Sequence, residues 1–181
     1  MWERFVDQCV VRPQYQLLSR AYQDYRGNSR PCGRGVPNQC AVRMSMALVR
    51  SGFGLESFQP AHRVHSGNGA CNTNGVPHVL AALELGHFLR LGLGAPATIS
   101  PRAHHRGCAH AFEQIRGQKG ILYFNNCFTR AGAAVQSGDH IDLFDGQHYF
   151  NEIIHPHAGG DETTGGDLFG RADQVWFWRL D

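Results

Sequence analysis

Residues 37–52 read Pro37-Asn38-Gln39-Cys40-Ala41-Val42-Arg43-Met44-Ser45-Met46-Ala47-Leu48-Val49-Arg50-Ser51-Gly52. Asn38 is a helix-capping residue type, and Cys40, Met44, Ala47 and Leu48 recur at helical spacing. Gly52 stands where such a helix would end. The stretch therefore predicts a helix with Asn38 at its N-cap and Cys40 in its first turn. Unpaired backbone N–H groups and the positive end of the helix dipole favour a thiolate at that position, which makes Cys40 a candidate nucleophile. The plainer reading is a small buried residue on an apolar stripe, as most cysteines in such a place are.

A nucleophilic thiol needs a base, and a second stretch offers one. Asp145-Gly146 separates the alternating run His140-Ile141-Asp142-Leu143-Phe144 from the β-rich run Gln147 to Ile154, as in a two-residue hairpin turn. With that loop, Phe144 opposes Gln147 and His140 opposes Asn151. Directly opposed residues share a face with Cβ atoms roughly 5 Å apart, so Asn151 is placed to orient the His140 ring. Asp142, two residues along the same face, is a second candidate for that role. Cys, His and Asn then follow the order and logic of papain-like nucleophile, base and orienter. Spacing alone does not bring Cys40 to His140.

Around these stretches the chain reads as one domain of 181 residues with no repeat and no low-complexity tract. Leu17, Leu18, Ala21, Tyr22 and Tyr25 predict a first helix ended at Gly27-Asn28-Ser29. Pro77 opens a third, carrying Val79, Leu80, Leu83, Phe88 and Leu89, before the exit Gly92-Leu93-Gly94. Short strands follow at Ile121–Phe124, His140–Phe144 and Val175–Trp178, so helices first and strands later predict an α+β fold. A net charge of +2 without a basic run argues against a nucleic-acid partner. No apolar stretch approaches the length of about 20 residues that spans a bilayer, which argues against a membrane role. The N-terminus, Met1 to Asp7, lacks the apolar core of a signal peptide, so synthesis in the cytoplasm is expected.

The 6 cysteines and 11 histidines also invite metal and disulfide readings. His104, His105, Cys108 and His110 form the densest group, yet the paired spacing of a structural zinc site is missing, so no metal and no cofactor are expected. His62, His65, His155 and His157 read as solvated loop residues. Cys9, Cys32, Cys71, Cys108 and Cys127 have irregular spacing; one or two bridges fit an oxidising compartment and reduced thiols fit a reducing one. Gly67-Asn68-Gly69, Gly159-Gly160 and Gly165-Gly166 are candidate groove-lining loops or plain surface turns.

Taken together, Pro37 to Leu48, Lys119 to Phe124, Gly138 to Gly146 and Val175 to Trp178 resemble the type VI secretion amidase effectors of family four, the Tae4 group. The resemblance covers roughly residues 35 to 178, the motif-bearing core of a single domain spanning 1–181. It implies a papain-like NlpC/P60 fold with N-terminal helices packed on an antiparallel sheet. It further implies a cysteine DL-endopeptidase that cuts the γ-D-glutamyl to meso-diaminopimelate bond of peptidoglycan stem peptides. Carried onto this chain, Cys40 is the nucleophile and His140 the base. The family's third residue, commonly Asp, falls on Asn151, and Phe144 replaces the usual Trp. The implied partners are peptidoglycan, a cognate immunity protein and the type VI delivery components, with delivery to the target-cell periplasm. The rival readings are a papain-like protease or deamidase acting on protein, a non-catalytic domain that binds wall peptides, and a zinc-binding module.

Overall fold

A computed structural model describes residues 12–25, 31–32, 38–56, 58, 64–65, 76–99, 108–130, 134–150 and 168–180, with backbone alone at 64–65 and 108–111. The helices are α1 (Tyr15–Gln23), α2 (Cys40–Arg50), α3 (Ala82–Leu93), α4 (Cys108–Ile115) and α5 (Leu168–Arg171). The strands are β1 (Val64–His65), β2 (His78–Val79), β3 (Ala97–Ile99), β4 (Gly120–Thr129), β5 (Gln136–Phe144) and β6 (Gln174–Arg179). β1 and β2 form a small antiparallel pair, and the main sheet runs β3-β6-β4-β5 with every neighbouring pair antiparallel.

The sheet is buried on both faces, which is why Ile121-Leu122-Tyr123-Phe124 is a continuous apolar run rather than an alternating one. Ile121, Tyr123, Ile141, Leu143, Trp176 and Trp178 face a core shared with α1, α2 and α3. Leu122, Phe124, Phe144, Val175 and Phe177 face a second core with Ile115, Tyr149 and Phe169.

The helix predicted from residues 37–52 sits at the centre of the first core. Every residue from Cys40 to Leu48 is buried, with α1, β2, α3 and β5 packed around it. Ser45 keeps it polar-satisfied there: its hydroxyl donates to the Ala41 carbonyl at 2.7 Å and accepts from the Val79 N–H at 2.8 Å. Gly52 ends the helix at φ +89°, as its position suggested.

Three expectations are corrected. The N-cap of α2 is Gln39 rather than Asn38, and no side chain caps the helix, because the Gln39 amide is engaged with Cys32 instead. The third helix starts at Ala82 and not at Pro77, since His78–Val79 first pair with Val64–His65. The turn after β5 is wider than two residues. Asp145 Oδ1 accepts from the N–H groups of both Gln147 and His148, at 2.8 and 2.7 Å, and Asp145 N–H donates to the His148 carbonyl. Of Asp145 and Gly146 only Gly146 has positive φ, whereas the two-residue turn needs it at both. Phe144 consequently bridges Tyr149, two positions beyond the predicted register, so the register argument that set His140 opposite Asn151 fails.

Candidate active site

Cys40 is the first residue of α2, and His140 and Asp142 lie on β5, an outer strand of the described sheet. The edge position lets the start of α2 reach the strand. The Cys40 thiol is hydrogen-bonded to the His140 ring and faces the Ile141 and Ala41 backbone N–H groups. The sequence placed the nucleophile and base candidates far apart; the fold brings them together.

The other end of the imidazole meets a carboxylate. His140 Nε2 lies 3.6 Å from Asp142 Oδ2, and this nitrogen has no hydrogen bond among the described residues. The second Asp142 oxygen, Oδ1, accepts from the Leu143 N–H at 2.8 Å. Asn151, His104, His105, His62, His155, His157, Cys9, Cys71 and the candidate glycine loops lie outside the described residues, and Cys108 and His110 are described by backbone alone. Among the described residues no group of three or more His, Cys, Asp or Glu is gathered to hold a metal.

The electrostatics of the site oppose two effects. Burial pushes the Cys40 thiol up, but the hydrogen bond to His140, the imidazolium charge and the Ile141 and Ala41 N–H groups outweigh it. The net shift is below the ordinary value of 9.0. For His140, burial works against the charged ring, yet the Asp142 carboxylate and the Cys40 sulfur together raise its pKa from 6.5 to about 10. A lowered thiol against a raised imidazole is the condition for a thiolate–imidazolium pair, and so for a nucleophile with a proton donor already in place.

Two contributors escaped sequence reasoning. The Ile141 N–H was read only as strand backbone. Tyr22 was read only as an apolar position on α1, although its hydroxyl is buried beside the Asp142 carboxylate; burial first, and then that negative charge, raises its pKa. A phenol on an otherwise apolar stripe was the available signal. Cys127 is the contrasting cysteine: it is buried and free, and burial raises its thiol far above the ordinary range. Cys32 is disulfide-bonded.

The sequence matches the family model of type VI secretion system amidase effector protein 4, Tae4, over residues 36–178. No curated protein sequence matches it. Among solved structures it is similar to the type VI effector Tae4 from Enterobacter cloacae, with TM-score 0.64 and 17% identity over 96% of this chain and 100% of that one. It is similar to the Enterobacter cloacae Tae4–Tai4 effector–immunity complex, with TM-score 0.65 and 18% identity over 94% and 99% of the two chains. A third likeness is to Tae4 from Salmonella typhimurium in complex with the immunity protein Tai4 from Enterobacter cloacae, with TM-score 0.62 and 18% identity over 94% and 100%. At these identities the likeness speaks for the fold, which is the papain-like NlpC/P60 arrangement of helices on an antiparallel sheet.

Proposed function

The chain belongs to the Tae4 family of type VI secretion amidase effectors, antibacterial peptidoglycan hydrolases, and from that premise we propose that it works as a cysteine DL-endopeptidase. The bond assigned to it joins γ-D-glutamate to meso-diaminopimelate in stem peptides. The observation that carries the cysteine chemistry is the hydrogen bond between Cys40, at a helix start, and a His140 ring flanked by a carboxylate.

In this reading the Cys40 thiolate attacks the amide carbonyl carbon, and the charge that develops on oxygen is taken by backbone N–H groups of the α2 start. The tetrahedral intermediate collapses as His140 gives its proton to the leaving diaminopimelate nitrogen, which breaks the C–N bond and leaves a thioester on Cys40. His140, now neutral, takes a proton from water as that water attacks the thioester, and the acid product departs. We assign the orienting role to Asp142, because it is the carboxylate that faces Nε2. Asn151, the position the family motif selects, is the alternative orienter.

The test is muropeptide cleavage followed by chromatography and mass analysis. Cys40→Ala is expected to lose at least about 10³-fold in rate. Asp142→Asn is expected to lose roughly 10²-fold or more with the fold intact, and Asn151→Ala to lose less than Asp142→Asn. Full activity in Cys40→Ala rejects the nucleophile; a larger loss in Asn151→Ala moves the orienting role there. Products from casein but not from sacculi would move the substrate to protein.

Two further proposals follow from the family. The solved relatives include Tae4 bound to Tai4, so a cognate immunity protein of that kind is the expected inhibitor of this chain. Delivery by the type VI apparatus into the target periplasm is the matching route, and no helix among the described residues is long and apolar enough to cross a membrane. Co-purification of the two proteins with loss of muropeptide cleavage checks the first.

A further inference from the structure

Gln39 immediately precedes the candidate nucleophile, is 1% exposed, and does not use its side chain to cap the helix it opens. Its amide is instead matched to one backbone residue on another segment. The Cys32 N–H donates to Gln39 Oε1 at 3.0 Å, and Gln39 Nε2 donates to the Cys32 carbonyl. The side chain thus pairs with Cys32 as a neighbouring strand would, donor to acceptor and acceptor to donor.

Both ends of this clamp are fixed. Cys32 is fully buried and disulfide-bonded, and its sulfur lies 3.4 Å from His78 Nε2, while His78 Nδ1 lies 3.1 Å from the Val76 carbonyl. At the other end, the Gln39 main-chain carbonyl accepts from the Arg43 N–H at 2.9 Å, the bond that closes the first turn of α2. That turn carries Cys40 and the Ala41 N–H that points at its sulfur. A single residue therefore joins the disulfide-anchored segment to the turn that aims the thiol.

We propose that Gln39 is a positioning residue for Cys40, transmitting the anchored placement of Cys32 to the first turn of α2, so that opening the Cys32 disulfide slackens the nucleophile. The inference rests on Cys40 being the nucleophile. Its consequence is an enzyme with a better-aimed thiol in an oxidising compartment than in a reducing one.

The experiment uses the full-length protein and purified muropeptides, with iodoacetamide as an independent probe of Cys40. Gln39→Leu keeps the bulk and removes both hydrogen bonds. It is expected to lower kcat about tenfold, leave KM within about twofold, and slow Cys40 alkylation in step. Gln39→Glu keeps the acceptor and can donate to the Cys32 carbonyl only when protonated, so its kcat relative to wild type rises as pH falls from about 8 to about 5. Treating wild type with a water-soluble phosphine opens the bridge: the phosphine is oxidised to its oxide with oxygen from water, and the two sulfurs leave as thiols. Wild-type kcat then falls about tenfold, while kcat of Gln39→Leu barely changes, because the link is already cut. Wild-type kcat and alkylation rate in Gln39→Leu overturn the proposal, as do losses from variant and phosphine that simply multiply. Circular dichroism identifies folded samples; if the reduced protein unfolds, the two Gln39 variants with their bridge intact decide. Activity in Cys40→Ala would instead reject the nucleophile, so the two failures are distinguishable.

Discussion

At the scale of single residues, the site is a contest between burial and contact. Cys40 and His140 are 4% and 6% exposed, and burial opposes charge on both. The charged pair wins because each ion faces the other and each has a second partner, Asp142 for the ring and two N–H groups for the sulfur. The sign of the pH dependence follows. Activity rises as the thiol loses its proton, on a limb lying below 9.0, and falls where His140 loses its own, at about 10, so kcat/KM against pH should be a bell displaced to the alkaline side of a free imidazole. In Asp142→Asn the alkaline limb moves down, since contact with the Asp142 carboxylate is the largest single influence that raises His140. A limb unmoved by that substitution would show that Asp142 does not act on the ring. Iodoacetamide at pH 7 to 8 should label Cys40 and spare Cys127, whose thiol burial holds protonated; mass mapping of the labelled peptide reads the outcome. Cys40 was legible because a helix start has a sequence signature. The group proposed to orient the ring was not, because Asp142 reaches Nε2 from the same strand, and no spacing rule ranks it above Asn151.

At the scale of elements, α2 was legible and its entry was not. The stripe Cys40, Met44, Ala47, Leu48 and the terminal Gly52 are local signals. The choice of N-cap instead turned on Cys32, distant enough that no local rule sees it. The hairpin shows the same limit: Asp-Gly announces a turn, but its width was set by Asp145 accepting two backbone N–H groups. α4 was hidden because its Cys108 and His110 group in the sequence with His104 and His105 as a candidate metal cluster, and β3 because three residues carry no period. Two substitutions test how α2 is held. Gly52→Ala meets nothing within 4 Å, so its cost is that of φ +89° alone, about 1–2 kcal/mol of unfolding free energy by urea titration, with activity per folded molecule retained. Ser45→Ala removes the acceptor for the buried Val79 N–H and is expected to cost about 1–3 kcal/mol. A cost near zero for Ser45→Ala would show that water or another group takes over that N–H.

At the scale of the whole molecule, β4 is the member that both cores share. It lies between β6 and β5, puts Ile121 and Tyr123 against the helices, and puts Leu122 and Phe124 into the opposite core. It also sets the height of β5, because Phe124 pairs with His140 and Leu122 with Asp142. Gly120 begins this strand opposite Phe144 on one side and Arg179 on the other. A Cβ there would lie 2.1 Å from the Trp178 carbonyl oxygen and 2.7 Å from the Phe177 ring, so the obstruction is largely backbone and no rotamer relieves it. Gly120→Ala must push β6 away from β4 along a seam that both hydrophobic clusters close over. The expected loss is about 3 kcal/mol or more, at the upper end of what overpacking costs. Because the two cores meet at this strand, the loss should appear as one transition at lower urea concentration, with the tryptophan fluorescence of a Trp2→Phe background, which reports Trp176 and Trp178 on the helix side, coincident with far-ultraviolet circular dichroism. Separated transitions would mean that the helix-side core, with Cys40 in it, folds without the other face of the sheet, and that the geometry joining Cys40 to His140 does not depend on β4 as argued.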